Sequence, residues 1–113
     1  MANSFINKKV DLTTTDNTTL YTVPDANTAV IKALLVSEDA VSGTTITVTL
    51  TDASSNVFSL FKTKTISSNT TTELLTQPLV MEEKEILKVQ AGEANELHVI
   101  ASILQIQPRE VTT

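Results

Sequence analysis

The sequence contains no cysteine, no tryptophan and only two glycines, Gly43 and Gly92, among 113 residues. Without cysteine there is no disulfide framework, no thiolate nucleophile and no cysteine-based zinc site, so stability must come from packing or from neighbours. Two glycines this far apart exclude the glycine-rich loops that cradle phosphate. Aromatic residues are scarce at 4%. A core is expected to take most of Tyr21, Phe5, Phe58 and Phe61, and this argues against a sugar platform, which relies on exposed rings. No segment approaches the roughly 18 unbroken apolar residues of a membrane helix, so no membrane partner is expected. Eight Lys and Arg against 13 Asp and Glu give a net charge of −5. The basic residues form no stripe, so nucleic acid is not an expected partner. In "MANSFINKKVDLTTTDN" a threonine run follows the lysine pair where a signal peptide would need an apolar core. The chain is therefore expected to be made and kept in a cytoplasm until it joins something.

What the sequence does have is threonine, its commonest residue, and alternation of apolar with polar side chains. The segments "TLYTVP", "TAVIKALLVS", "TTITVTLTD", "VFSLFK", "TTTELL", "LVM", "ILKVQA" and "ELHVIASILQI" are separated by turn-forming residues at spacings typical of all-β proteins. They predict a single antiparallel β-sandwich of jelly-roll or Greek-key type with about eight strands. The predicted domain covers residues 19–107. Residues 1–18 read as a polar arm that adds at most one strand near its start, and 108–113 as a tail. Lys32 alone interrupts "TAVIKALLVS", which predicts a central strand buried on both faces or nearly so.

In "TTITVTLTD", Ile46, Val48 and Leu50 share one side of the strand and Thr45, Thr47, Thr49 and Thr51 the other. A solvated outer face explains the threonines, since the β-branched side chain suits a strand and the hydroxyl suits water. They also suit an adhesive face, because small uncharged side chains lose little entropy on burial. An ice-binding array would need many parallel Thr-x-Thr rungs, and the motif occurs once. Phe5, Ile6 and Val10 are candidate anchors of the arm, because apolar residues in a polar segment need cover.

No catalytic constellation emerges. His98, the single histidine, sits in "NELHVIAS" as a surface or rim residue. No serine lies in a G-x-S-x-G context. The acidic groups Glu38 with Asp39, and Glu82, Glu83 and Glu85, lack the spacing of a calcium loop and read as solvated loop charge. No cofactor or metal is expected.

The order of "LYTVPDANTAVIKALLVSED", "TTITVTLTDASSNVFSLFKT" and "NTTTELLTQPLVMEEKEILKVQAGEANELHVIASILQI" resembles a group of small virion proteins of tailed bacteriophages, over about residues 20–106. The turns of this chain are poorer in glycine than that group's. The resemblance implies a non-enzymatic structural component of the virion, such as a head decoration or cement protein, or a part of the neck, tail or fibres. Its expected partners are the major capsid protein or other virion proteins, with the chain present as a homo-oligomer or in many copies on a lattice. A host-glycan-binding module is the alternative from another class.

Overall fold

The computed structural model describes residues 3–40 and 42–107. Nine strands are found among them: β1 (Asn3–Leu12), β2 (Thr18–Thr22), β3 (Thr28–Glu38), β4 (Thr44–Thr51), β5 (Val57–Ile66), β6 (Thr70–Glu73), β7 (Leu79–Met81), β8 (Ile86–Ala91) and β9 (Leu97–Ile106). They form two antiparallel sheets, one in the order β1-β9-β3-β6 with β7 also paired to β3, the other in the order β2-β8-β4-β5. The all-β sandwich expected from alternation is what the chain forms.

The core lies between the sheets. Ala29, Ile31, Leu34 and Val36 of β3 and Leu97, Val99, Ala101 and Ile103 of β9 meet Ile46 and Val48 of β4 and Leu87 and Val89 of β8. Tyr21 reaches across from β2, and its hydroxyl donates to Gln105 Oε1 of β9 at 2.7 Å. Burial pushes the tyrosine hydroxyl's pKa up, since the phenolate is the form that loses solvation.

Three expectations need correction. The strand expected near the start of the arm is found, but it belongs to the domain: β1 pairs with β9 over its whole length, from Asn3 opposite Ile106 to Leu12 opposite Leu97. Ile6 and Val10 pack against the core of their own chain. Their segment reads as an arm because it is an edge strand, and edges carry lysine and other polar residues that deter pairing with further chains. Second, β3 is central but covered on one face only, with Val30, Ala33 and Leu35 half-exposed on the other. Lys32, the charge within its apolar run, stands where the β3–β9 register slips between Ile31 and Ala33, which leaves it outside the regular alternation. Third, the core does not take most of the aromatic rings. Tyr21 is buried, but Phe5 is 79% and Phe58 53% exposed. Both lie on edge strands, where one flank has no neighbour. The expected tail, 108–113, lies outside the described residues.

The scarcity of glycine has a visible consequence in the turns. Ala26, Ser55, Thr63, Asn69, Lys84 and Asn95 all adopt positive φ, as does Gly43. Such conformations are costly for residues with a Cβ, by about 1–2 kcal/mol each. Each of their N–H groups is held by an acceptor. Ala26 donates to Glu83 Oε2 (2.6 Å), Thr63 to Thr47 Oγ1 (3.0 Å), Asn69 to Glu38 Oε1 (3.1 Å) and Gly43 to Glu38 Oε2 (2.8 Å). Ser55, Lys84 and Asn95 donate to the carbonyls of Asp52, Val23 and Leu12. Side-chain and main-chain acceptors thus hold conformations that glycine adopts without strain.

Candidate interaction surfaces

Of the acidic residues weighed as cation ligands, Glu38, Glu83 and Glu85 are occupied by backbone N–H groups. Glu38, 1% exposed, binds the two N–H groups just named. Glu83 holds Ala26, and Glu85 Oε1 accepts from the Glu82 N–H. Glu96, also buried, accepts from the Ser42 hydroxyl at 3.0 Å. Asp52 Oδ1 accepts from Ser54 and Asn56 in the β4–β5 hairpin. The Asn56 bond first, with help from Ser54, holds the Asp52 carboxyl below the usual aspartate range.

His98 lies on the outer face of the five-stranded sheet between two carboxylates. Its Nε2 is 3.3 Å from Asp11 Oδ1 and its Nδ1 3.7 Å from Asp39 Oδ2. Each ring nitrogen faces a carboxylate, so neither is directed at a hydroxyl that it could activate.

Thr45, Thr47, Thr49 and Thr51 are brought together, half-exposed, on the outer face of the four-stranded sheet. Their cross-strand neighbours on β8 are Gln90 beside Thr47, Lys88 beside Thr49 and Ile86 beside Thr51. On its β8 side the face therefore carries one lysine among uncharged side chains. Thr47 has a structural task. Opposite it β5 holds two residues, Lys62 and Thr63, between the pairs Ile46–Lys64 and Val48–Phe61. The Thr47 hydroxyl takes the N–H that this bulge frees. Thr47→Val should lower stability by about 1–2 kcal/mol, while Thr49→Val should stay within about 0.5 kcal/mol. Urea unfolding of both variants checks this, and equal effects would remove the bracing role. At one end of the face the backbone of Gly92 lies against Thr44 and Thr45, and a Cβ there would overlap the Thr45 hydroxyl.

The other candidate, Phe5, stands on the opposite side of the sandwich and is not alone. On the outer face of the five-stranded sheet, Phe5 is opposite Leu104, Leu104 opposite Val30, and Val30 opposite Val80. Four residues along β9, Lys9 is opposite Ile100, Ile100 opposite Leu35, and Leu35 opposite Glu73. Val80 is 60% and Ile100 40% exposed. The row between holds Asn7, Ser102 and Ala33, with the exposed Lys32 beside Ala33 at the β3 bulge. This apolar face was missed as a site, although its signal was present: β3 and β9 are the two runs apolar on both alternations, and the chain covers one face of each.

The exposure of Phe5 and Phe58 removes one objection to sugar binding. The two rings belong to different sheets, however, and share no row.

Neither a protein-family model nor a curated protein matches the sequence. Among solved structures, two of a pentameric capsid protein isolated from metagenomic phage sequences are similar at 20% identity and a TM-score of 0.42. The similarity covers 91% of this chain, which spans 59% and 61% of those chains. The CBM22-1 and GH10 modules of a Clostridium thermocellum endo-1,4-beta-D-xylanase, complexed with xylohexaose, are similar at 8% identity and a TM-score of 0.41, over 82% of this chain and 19% of that one. At these values each likeness is one of general β architecture and carries nothing further.

Proposed function

We propose that the chain is a non-enzymatic structural component of a tailed-bacteriophage virion, a decoration or cement protein that binds the head lattice and stabilises it. The observation that carries this reading is the division of labour among its side chains. The acidic and hydroxyl groups suited to chemistry brace turns and bulges, while the two sheets present outer faces with apolar rows on one and threonines on the other. Such faces on a braced scaffold suit contact with other proteins. The order of strands in the sheets is one we read as a jelly roll, an architecture that serves in viral capsids and also in lectins. The sequence resemblance supports the capsid side of that pair.

In this reading the chain is made in the host cytoplasm and then joins the particle. The face bearing Thr45, Thr49 and Thr51 contacts the lattice, and modest contacts repeated over many copies add through effective concentration. Strand addition at the sheet edges is the weaker route. The edge strand β1 carries Lys8 and Lys9, and the edge strand β5 carries Lys62 and Lys64 around its bulge.

Quantitative mass spectrometry of gradient-purified virions tests the proposal. Copies comparable in number with the major capsid protein are expected. About a dozen copies per particle would move the chain to the neck, tail or fibres, and absence from the virion would overturn the reading.

A further inference from the structure

We propose that two copies of this chain pack through the outer faces of their five-stranded sheets, about a two-fold axis parallel to the strands and lying over the boundary between β9 and β3. The inference comes from the register of the sheet and does not depend on where in a virion the chain resides.

Such an axis keeps each row of side chains in place along the strands and reverses its order across the sheet. β1 then lies over β6 and β7 of the second copy, and β9 over β3. In the first row Phe5 meets the partner's Val80, and Leu104 meets the partner's Val30. In the second, Ile100 meets the partner's Leu35 and Lys9 meets the partner's Glu73. Every apolar member of these rows finds an apolar counterpart, and Lys9 finds Glu73, whose Oε2 also accepts the N–H groups of Leu34 and Leu75 in its own chain. The register alone produces this match, because the rows read Phe-Leu-Val-Val and Lys-Ile-Leu-Glu across the sheet. In the row between them Ser102 and Ala33 are small, and for the two sheets to approach, Asn7 and the exposed Lys32 of the β3 bulge must lay their side chains along the face with the ammonium reaching solvent.

The size of the face also fits a second copy. Ten residues of β9 at about 3.3 Å each, by four strand positions at about 4.8 Å each, give roughly 600 Å² for the whole outer face, of which the rows from Ile100 to Leu104 make up about half. The whole face is of the order of the about 800 Å² that each partner contributes to a stable interface. Lysines guard the edge strands β1 and β5, which favours face-to-face packing over strand addition there. The threonine faces of the two copies then point outward on opposite sides of the dimer.

Sedimentation equilibrium of the full chain tests this. The expected mass is about twice the 12.2 kDa of one chain. A chain that stays monomeric at about millimolar concentration, where even weak specific pairs associate, would overturn the proposal. Leu104→Asp, which meets its counterpart twice by symmetry, should weaken association about 100-fold or more while leaving the circular dichroism spectrum unchanged. Thr49→Lys, on the opposite sheet, should leave association intact. A dimer that survives Leu104→Asp, or is lost with Thr49→Lys, would place the contact elsewhere and overturn the proposal.

The orientation has its own readout, since the chain has no cysteine of its own. A bismaleimide reaching about 10 Å, the spacing of packed sheets, should link copies of a Phe5→Cys, Val80→Cys double variant and not copies of either single variant. Linkage of a single variant, or no linkage of a double variant that sediments as a dimer, would overturn the axis.

Discussion

Glu38→Ala is expected to lower the stability of the sandwich by about 3–4 kcal/mol, the largest effect of any polar substitution in this chain. The side chain lies at the end of β3, turned inward and 1% exposed. Its two oxygens accept the N–H groups of Gly43 and Asn69, one in the β3–β4 loop and one in the β5–β6 turn. Both donors belong to residues in the left-handed region, at φ 70° and 54°. Truncation removes two hydrogen bonds to a carboxylate, worth about 1.5–3 kcal/mol each, from the donors on half-exposed Gly43 and exposed Asn69, and it removes the tie between the two loops. Glu38→Gln keeps the shape and one acceptor oxygen but turns an amide NH₂ toward the other donor, so about half of the loss is expected. Urea unfolding at neutral pH measures both variants. Amide exchange at Gly43 and Asn69 should speed up in the alanine variant. A loss below about 1 kcal/mol would mean that water replaces the carboxylate and that the loops do not depend on it.

The second large effect separates the two faces of one strand. Ile31 and Leu35 are both aliphatic residues of β3, yet Ile31 is fully buried between the sheets and Leu35 is half-exposed on the outer face. Ile31→Ala should cost about 3–4 kcal/mol, within the range for buried aliphatic truncation. Leu35→Ala should cost less than about 1 kcal/mol in the monomer. The comparison belongs at concentrations low enough to keep the chain monomeric, because association would add its own stabilisation. Equal losses would show that Leu35 is covered within the chain and that the outer face is closed.

Much of the fold was legible from alternation. The eight segments with apolar residues at every second position all became strands, and their turn residues became the turns. The ninth strand, β1, was not legible as part of the domain, because a lysine-guarded edge strand has the composition of a solvated segment. The aromatic rings misled for a related reason. Large rings are expected inside, but Phe5 and Phe58 lie on edge strands, where one flank has no neighbour to cover them.

The candidate site was legible in part. The four threonines do share one face, as a period of two requires. What they do differs from one to the next, and the bulge that gives Thr47 its partner Thr63 arises from pairing with a strand 16 residues away. The acidic residues read as solvated loop charge for a similar reason. The backbone donors they satisfy, such as Asn69 for Glu38, come from distant loops.

The sequence by itself determined the sandwich: a side-chain period of two, turn residues between the runs, and no cysteine, so that packing holds the chain together. Tertiary structure alone decided which of the two apolar faces of β3 and β9 would be covered. Alternation states that a face is apolar, but cover depends on which strands the chain can bring across from it. This chain supplies a second sheet for one face and leaves the row Phe5, Leu104, Val30 and Val80 open on the other.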